Sequence, residues 1–204
     1  MERKSIDENK KRKPSGAAVI QASLTRALYK ALFEEWASHG YTGIRLDRVA
    51  SRAGAGKAAI YRRWVSKREF AAEAIAEAGL LLASVEDCGS LEKDISAFLM
   101  KLRATFRHPL VRRILPDMHA ERTRNGELAN ILTELADRRR KIGVAIFERA
   151  IARGELSADL DIENALSLLP AMLYWEIVVL GKPVSRKKIE QQVENITLLL
   201  KHGR

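Results

Sequence analysis

Between Ile20 and Leu200 the apolar residues recur three and four positions apart, and nowhere do they alternate in a sustained run bounded by turns. That spacing lines one face of a helix with 3.6 residues per turn and cannot line one face of a strand. The chain is thereby restricted to an all-α fold. Ile20, Leu24, Ala27, Leu28, Ala31, Leu32 and Trp36 mark a first helix that stops at His39-Gly40. Two short helices follow, over 46–53 and 57–64, and a fourth runs from Ser66 towards Ser84, with Glu69 three residues after Ser66 as a capping box. Longer helices are expected over 91–107, in a segment begun by Pro109 and interrupted at Pro116, and over 127–153, 161–180 and 185–200.

Charge divides this helical chain in two. Residues 1–68 hold 16 Lys/Arg against 6 Asp/Glu, which accounts for the whole formal net charge of +10; the remainder holds 20 of each. A basic head on a neutral body points to a polyanion partner, nucleic acid before an anionic membrane surface. The expected division is a disordered basic arm over 1–17, a head over 18–66 and a helical body over 67–204. Lys10, Lys11, Arg12 and Lys13 in the arm could add phosphate contacts. No uninterrupted apolar run reaches the roughly 18 residues of a membrane span, and the N-terminus lacks the apolar segment of a signal peptide. One cysteine, Cys88, excludes an intramolecular disulfide and fits a reducing cytoplasm. His39, His108, His119 and His202 have no metal-ligand spacing, and Cys88 has no neighbouring His. Neither catalysis nor a cofactor is expected.

The stretch AGAGKAAIYRRWVSKREF, from Ala53 to Phe70, decides how the head meets its polyanion. It contains a loose G-x-G-x-x-A, and Gly56-Lys57 ends like a P-loop. A P-loop, however, would need Gly where Ser51 stands and a hydroxyl where Ala58 stands. A dinucleotide site would need a preceding strand, whereas LDRVASRA has helical spacing. Two short helices joined by a tight Gly turn are instead the geometry of a helix-turn-helix. At about 100° per residue, Ile60 and Trp64 share a face that can pack on Val49 and Ala50. Lys57, Ala58, Tyr61 and Arg62 share the opposite face, with Ala59 and Arg63 along its flank. Lys and Arg can donate to guanine, Ala admits a close backbone or a thymine methyl, and Tyr and Arg can hold phosphates.

From Gly40-Tyr41 through LDRVASRAGAGKAAIYRRWVSKREF, the sequence resembles the N-terminal domain of the TetR family of bacterial transcriptional regulators. That family's pattern is IA-x-x-AGVSKGTLY-x-HF-x-SKE-x-L, and many members carry GK-x-TIYRRW-x-SK. The match covers about 18–68. The body, with LLPAMLYWEIVVLGKPVS, resembles the C-terminal domain more weakly. The resemblance implies base contacts from Lys57, Ala58 and Arg62, and phosphate contacts from Tyr61, Arg63 and Lys67. Three departures bear on that map. Arg45 stands where the family has Thr or Ser and could supply a charged contact instead; Ala59 replaces a frequent Thr, and Val65 a Pro.

A single helix-turn-helix reads few base pairs, so specificity calls for a homodimer on a palindromic double-stranded operator. The candidate interface is two stripes: Leu166, Leu169, Leu173, Ile177 and Leu180, and then Ile189, Val193, Ile196 and Leu200. The same stripes would serve a monomer core, and the resemblance favours the dimer. It also implies a small-molecule effector among the body helices. Phe98, Leu102, Phe106, Met118, Phe147, Met172 and Trp175 are the candidate lining, His119 and Tyr174 its polar handles, and Pro170 a kink beside it. The expected whole is a cytoplasmic, homodimeric repressor released from its operator by a small, largely apolar ligand. A non-specific architectural DNA-binding protein is the alternative.

Overall fold

The computed structural model describes residues 16–80, 85–124 and 126–202; the basic arm at 10–13 and the far end of the fourth helix lie outside them. Along the chain run α1 (Gly16–His39), α2 (Leu46–Arg52), α3 (Lys57–Tyr61), α4 (Lys67–Leu80), α5 (Leu91–Arg107), α6 (Pro109–Thr123), α7 (Ala129–Ala152), α8 (Ile162–Leu173) and α9 (Arg186–His202). No strand occurs among the described residues.

Local chemistry sets the helix starts. Ser66 Oγ accepts from Glu69 N at 3.1 Å, while Glu69 Oε2 accepts from Val65 N at 2.8 Å, so orphan donors ahead of α4 are satisfied reciprocally. Asp161 accepts from Asn164 N at 3.1 Å and Ser185 from Lys188 N at 3.2 Å, capping α8 and α9. Pro109 opens α6, as expected. Pro116 does not interrupt it: the helix continues to Thr123 because Pro116 is exposed, where water can satisfy the carbonyl that its missing N–H leaves free.

The eighth helix departs from expectation in a different way. From Tyr174 to Val179 it widens into a π-helix, and Leu180 N donates to Trp175 O at 2.9 Å, five residues back. The widening starts one turn beyond Pro170, which itself has no N–H for the helix ladder. The segment Ile162–Val179 is, by length and a mean hydropathy of 1.3, apolar enough to cross a membrane. Here its faces have other uses. Ala165, Leu169, Leu173 and Ile177 are buried in the body, and its acids are paired, Glu163 with Arg140 and Glu176 with Lys188.

Two apolar clusters hold the chain together. In the body, Leu91, Ile95 and Leu99 of α5 pack with Ile146, Phe147 and Ala150 of α7 and with the inward faces of α8 and α9. This settles the fate of the two stripes expected at a dimer interface. Leu169, Leu173, Ile177, Ile189, Val193, Ile196 and Leu200 are buried within their own subunit, because α5 needs covering and these are the most regular apolar faces available. Leu166 is half-buried and Leu180 is exposed.

The head cluster centres on Leu28, Leu32, Trp36, Val49, Ile60, Trp64 and Phe70, and it does not end at the head. Ile114 of α6 and Leu128, Leu132 and Leu135 at and after the start of α7 belong to the same cluster. A polar latch lies beside that seam. Asp117 Oδ2 of α6 accepts from Trp36 Nε1 at 2.7 Å and from Tyr41 N at 2.8 Å. Gly40, at φ 72°, makes the left-handed turn that leads into Tyr41.

Candidate functional site

The recognition face is built from behind. α2 ends in a Schellman motif, with Ala55 N donating to Ala50 O at 2.9 Å and Gly54 N to Ser51 O at 3.1 Å. Gly54 takes φ 68°, a conformation that strains any residue with a Cβ. Gly56 is different: its backbone is extended and it precedes the first residue of α3. The two glycines therefore end one helix and begin the next, rather than cradle a phosphate. Ile60 is fully buried, with Ala59 and Trp64 nearly so, against Val49 and Ala50. Trp64 stacks on Phe70 with ring centroids 4.1 Å apart. Glu35 of α1 is wholly buried with Arg48, Arg52 and His39 each 3.5 Å away, which ties α2 to α1 and fixes the pair's angle.

With those side chains turned inward, Lys57, Ala58, Tyr61 and Arg62 are all exposed, the set that the helical register placed opposite Ile60 and Trp64. Lys57 Nζ lies 5.7 Å from the centre of the Tyr61 ring. α3 itself is shorter than expected, five residues, with Arg62 as its C-cap. Arg45 is exposed at the start of α2 and pairs with Asp47 at 3.4 Å. Two other expected contacts are directed elsewhere. Arg63 donates to Ala59 O at 2.8 Å, and Lys67 donates to Tyr41 O at 3.2 Å with Nζ 4.4 Å from the Tyr41 ring centre. Both cations brace the head's own backbone in this conformation.

Two cavities of similar size lie in and beside the body among the described residues. The first, about 500 Å3, lies among α5, α6, α7 and α8 and is bordered by Phe98, Leu102, Phe106, His119, Pro170 and Tyr174. Tyr174 meets Phe106 and His119 edge-on, at 5.8 and 5.5 Å between ring centres. Partial burial, then the nearby Arg122 and Arg139, hold the His119 pKa below its usual value, which favours the neutral imidazole. Burial raises the Tyr174 hydroxyl pKa. The other expected lining residues lie elsewhere. Phe147 is sealed in the core, and Met172 and Trp175 are exposed. Met118 borders the second cavity, also about 500 Å3, between the head and the body. Sequence reasoning passed over Leu115 and Arg139, which border both cavities and a small space of about 70 Å3 as well. On spacing alone Arg139 belongs to the wet side of a long helix.

A helix-turn-helix with an exposed basic face, carried on a helical body bordered by open cavities, has the architecture of a DNA-binding transcriptional regulator. Comparison with known proteins places it more closely. Residues 28–86 match the model of bacterial regulatory proteins of the tetR family, and residues 85–196 match a tetracyclin repressor-like C-terminal domain. The DNA-binding transcriptional repressor TetR of Mycobacteroides abscessus is 31% identical over 163 residues, covering 79% of this chain and 85% of that protein. The HTH-type transcriptional regulator Rv1556 of Mycobacterium tuberculosis is 29% identical over 163 residues, covering 78% and 79%. Among solved structures, the regulator FadR of Bacillus subtilis, in complex with stearoyl-CoA, superposes with a TM-score of 0.70 at 16% identity, over 88% of this chain and 98% of that one. The chain belongs to the TetR family of bacterial transcriptional regulators.

Proposed function

We propose that the protein is a homodimeric repressor that reads a palindromic operator and leaves it when a small, largely apolar ligand enters the body. The observation that carries the DNA reading is the exposed set Lys57, Ala58, Tyr61 and Arg62, held on buried Ile60 and Trp64. Lys57 and Arg62 are the base-reading cations and Tyr61 a phosphate contact, with Arg45 in reach of the flanking backbone. Selection of binding sites from a random DNA pool tests this. A palindrome should emerge, and Lys57→Ala should change the preferred bases, at about 1–3 kcal/mol per affected base pair. Uniform binding to all sequences would instead indicate an architectural protein.

For the dimer, the exposed apolar side chains support a face other than the expected stripes. Met172, Trp175 and Val179 repeat at three and four residues on α8 and its π-helical extension, Leu180 adjoins them, and Leu198 and Leu199 are exposed on α9. Trp175 is 57% exposed in the single subunit, a costly position for the largest apolar side chain unless a second copy covers it. Two copies of this helix pair would form a four-helix interface. Trp175→Glu should shift the mass measured by light scattering from dimer to monomer and lower operator affinity with it. An unchanged dimer would mean the subunits associate elsewhere.

A further inference from the structure

We infer that the effector is an amphipathic monocarboxylate, its head group held by Arg139 and its apolar chain lying in the cavity between head and body. This inference rests on the ligand-responsive reading above. Both large cavities and the small space beside them share two wall residues, Leu115 and Arg139, so the three spaces meet at one guanidinium. Each large space falls in the range of about 300–1,000 Å3 typical of small-molecule sites.

The charges facing the large spaces are few, and most are already satisfied. In the cavity among α5 to α8, Arg140 is paired with Glu163, Lys101 has an interaction of its own, and partial burial and the neighbouring Arg122 and Arg139 disfavour a charged His119. Among the described residues lining the head-side cavity, Arg139 is the one that is formally charged; Thr105 and His108 are polar and the others apolar. Arg122 borders the small space alone. Among the described residues no carboxylate lies within ion-pair distance of Arg139, in contrast to Arg149 and Arg153, which share Asp94. Arg139 is exposed to solvent while bordering all three spaces, and partial desolvation lowers its pKa without discharging it.

An exposed guanidinium at the edge of an apolar wall, with no carboxylate among the described residues within ion-pair distance, is free to take an anion that enters with the ligand. The guanidinium fork matches a carboxylate, bidentate and planar. One unpaired cation suits one negative charge. Among the described residues, a phosphate dianion or a nucleotide head group finds no second free cation in the wall of either large cavity. The chain then lies against Phe33 of α1 and Ile75 and Ala78 of α4. α4 also carries Phe70, whose ring stacks on Trp64 directly behind the recognition helix. Occupation of the head-side cavity is therefore transmitted to the reading face through one helix.

Calorimetric titration of the full-length protein with decanoate and with 1-decanol separates charge from chain. Decanoate should bind about 10- to 100-fold more tightly than the alcohol, the worth of a charge-assisted bidentate contact. Arg139→Gln should remove that difference and leave the alcohol's affinity in place, while Arg139→Lys should recover part of it. Equal affinities for acid and alcohol, an unaffected Arg139→Gln, or no binding of either probe each overturns the inference. Decanoate should also weaken binding of the wild-type protein to its selected operator, and binding without that effect overturns the coupling through α4. A protein that selects a palindrome but ignores decanoate refutes this inference alone; one that selects no palindrome refutes the regulatory reading.

Discussion

Trp64→Ala is expected to cost about 3–5 kcal/mol, in the range of buried tryptophan truncations, and to abolish specific operator binding. Trp64 is 2% exposed and fills the space between the recognition helix and α4. Its ring stacks on Phe70 at an interplanar angle of 22° and lies 5.9 Å from the Tyr29 ring centre. Its Nε1 donates to Glu73 Oε2 at 2.8 Å, and the Tyr29 hydroxyl donates to Oε1 of the same carboxylate. Truncation thus empties a cavity and removes one of two donors from that carboxylate, directly behind Lys57 and Tyr61. Trp64→Phe keeps a ring and loses the hydrogen bond, so it should cost about 1–2 kcal/mol. Thermal melts followed by circular dichroism, with operator binding on the same samples, give the comparison. If Trp64→Ala melts like the wild type, the ring does not support the head.

The second large effect concerns the latch between domains. Both Trp36 Nε1 and Tyr41 N donate to a single oxygen, Asp117 Oδ2. Asp117→Ala leaves two donors unpaired beside a nearly buried indole, and should cost about 2–4 kcal/mol. At about 2–4 °C per kcal/mol for a chain of this size, the melting midpoint should fall by roughly 5–15 °C. Asp117→Asn can keep an acceptor at the same place without the charge and should lose about half as much. Equal losses for the two variants would show that the charge, not the acceptor geometry, is what holds the seam. Because the latch joins α6 to the end of α1, it is also a contact that must hold or shift whenever the head changes angle.

The head was legible in the sequence because register and chemistry agreed there. Ile60 and Trp64 are apolar and Lys57, Tyr61 and Arg62 polar at a spacing that a helix resolves unambiguously, and the structure buries the first pair and exposes the second set. What failed was any inference that depended on which partner an apolar face would choose. A stripe such as Leu169, Leu173 and Ile177 reads alike whether it meets a second subunit or its own α5. Here the regular stripes of α8 and α9, Leu173 and Val193 among them, went to α5. The remaining face, with Met172, Trp175 and Val179, keeps the same three-and-four spacing, so periodicity alone does not say which of the two faces is left exposed. Cations were harder still. Lys67 and Arg63 have the composition of phosphate contacts, yet each meets a backbone carbonyl, a choice set by three-dimensional proximity. Arg139 is exposed, as its place on the polar side of α7 implies, but the pattern does not show that it also borders both cavities.

The sharing of one apolar cluster between head and body bears on how such proteins can diversify. Leu128, Leu132 and Leu135 complete packing that begins at Leu28 and Trp36, so no cut between residues 68 and 91 yields two pieces with closed surfaces. A chimera that joined this head to a relative's body would inherit a mismatched seam unless the facing residues of α6 and α7 travelled with it. On the proposed reading of α3, substitution on its exposed face changes operator preference without disturbing this seam, whereas exchange of whole domains disturbs it.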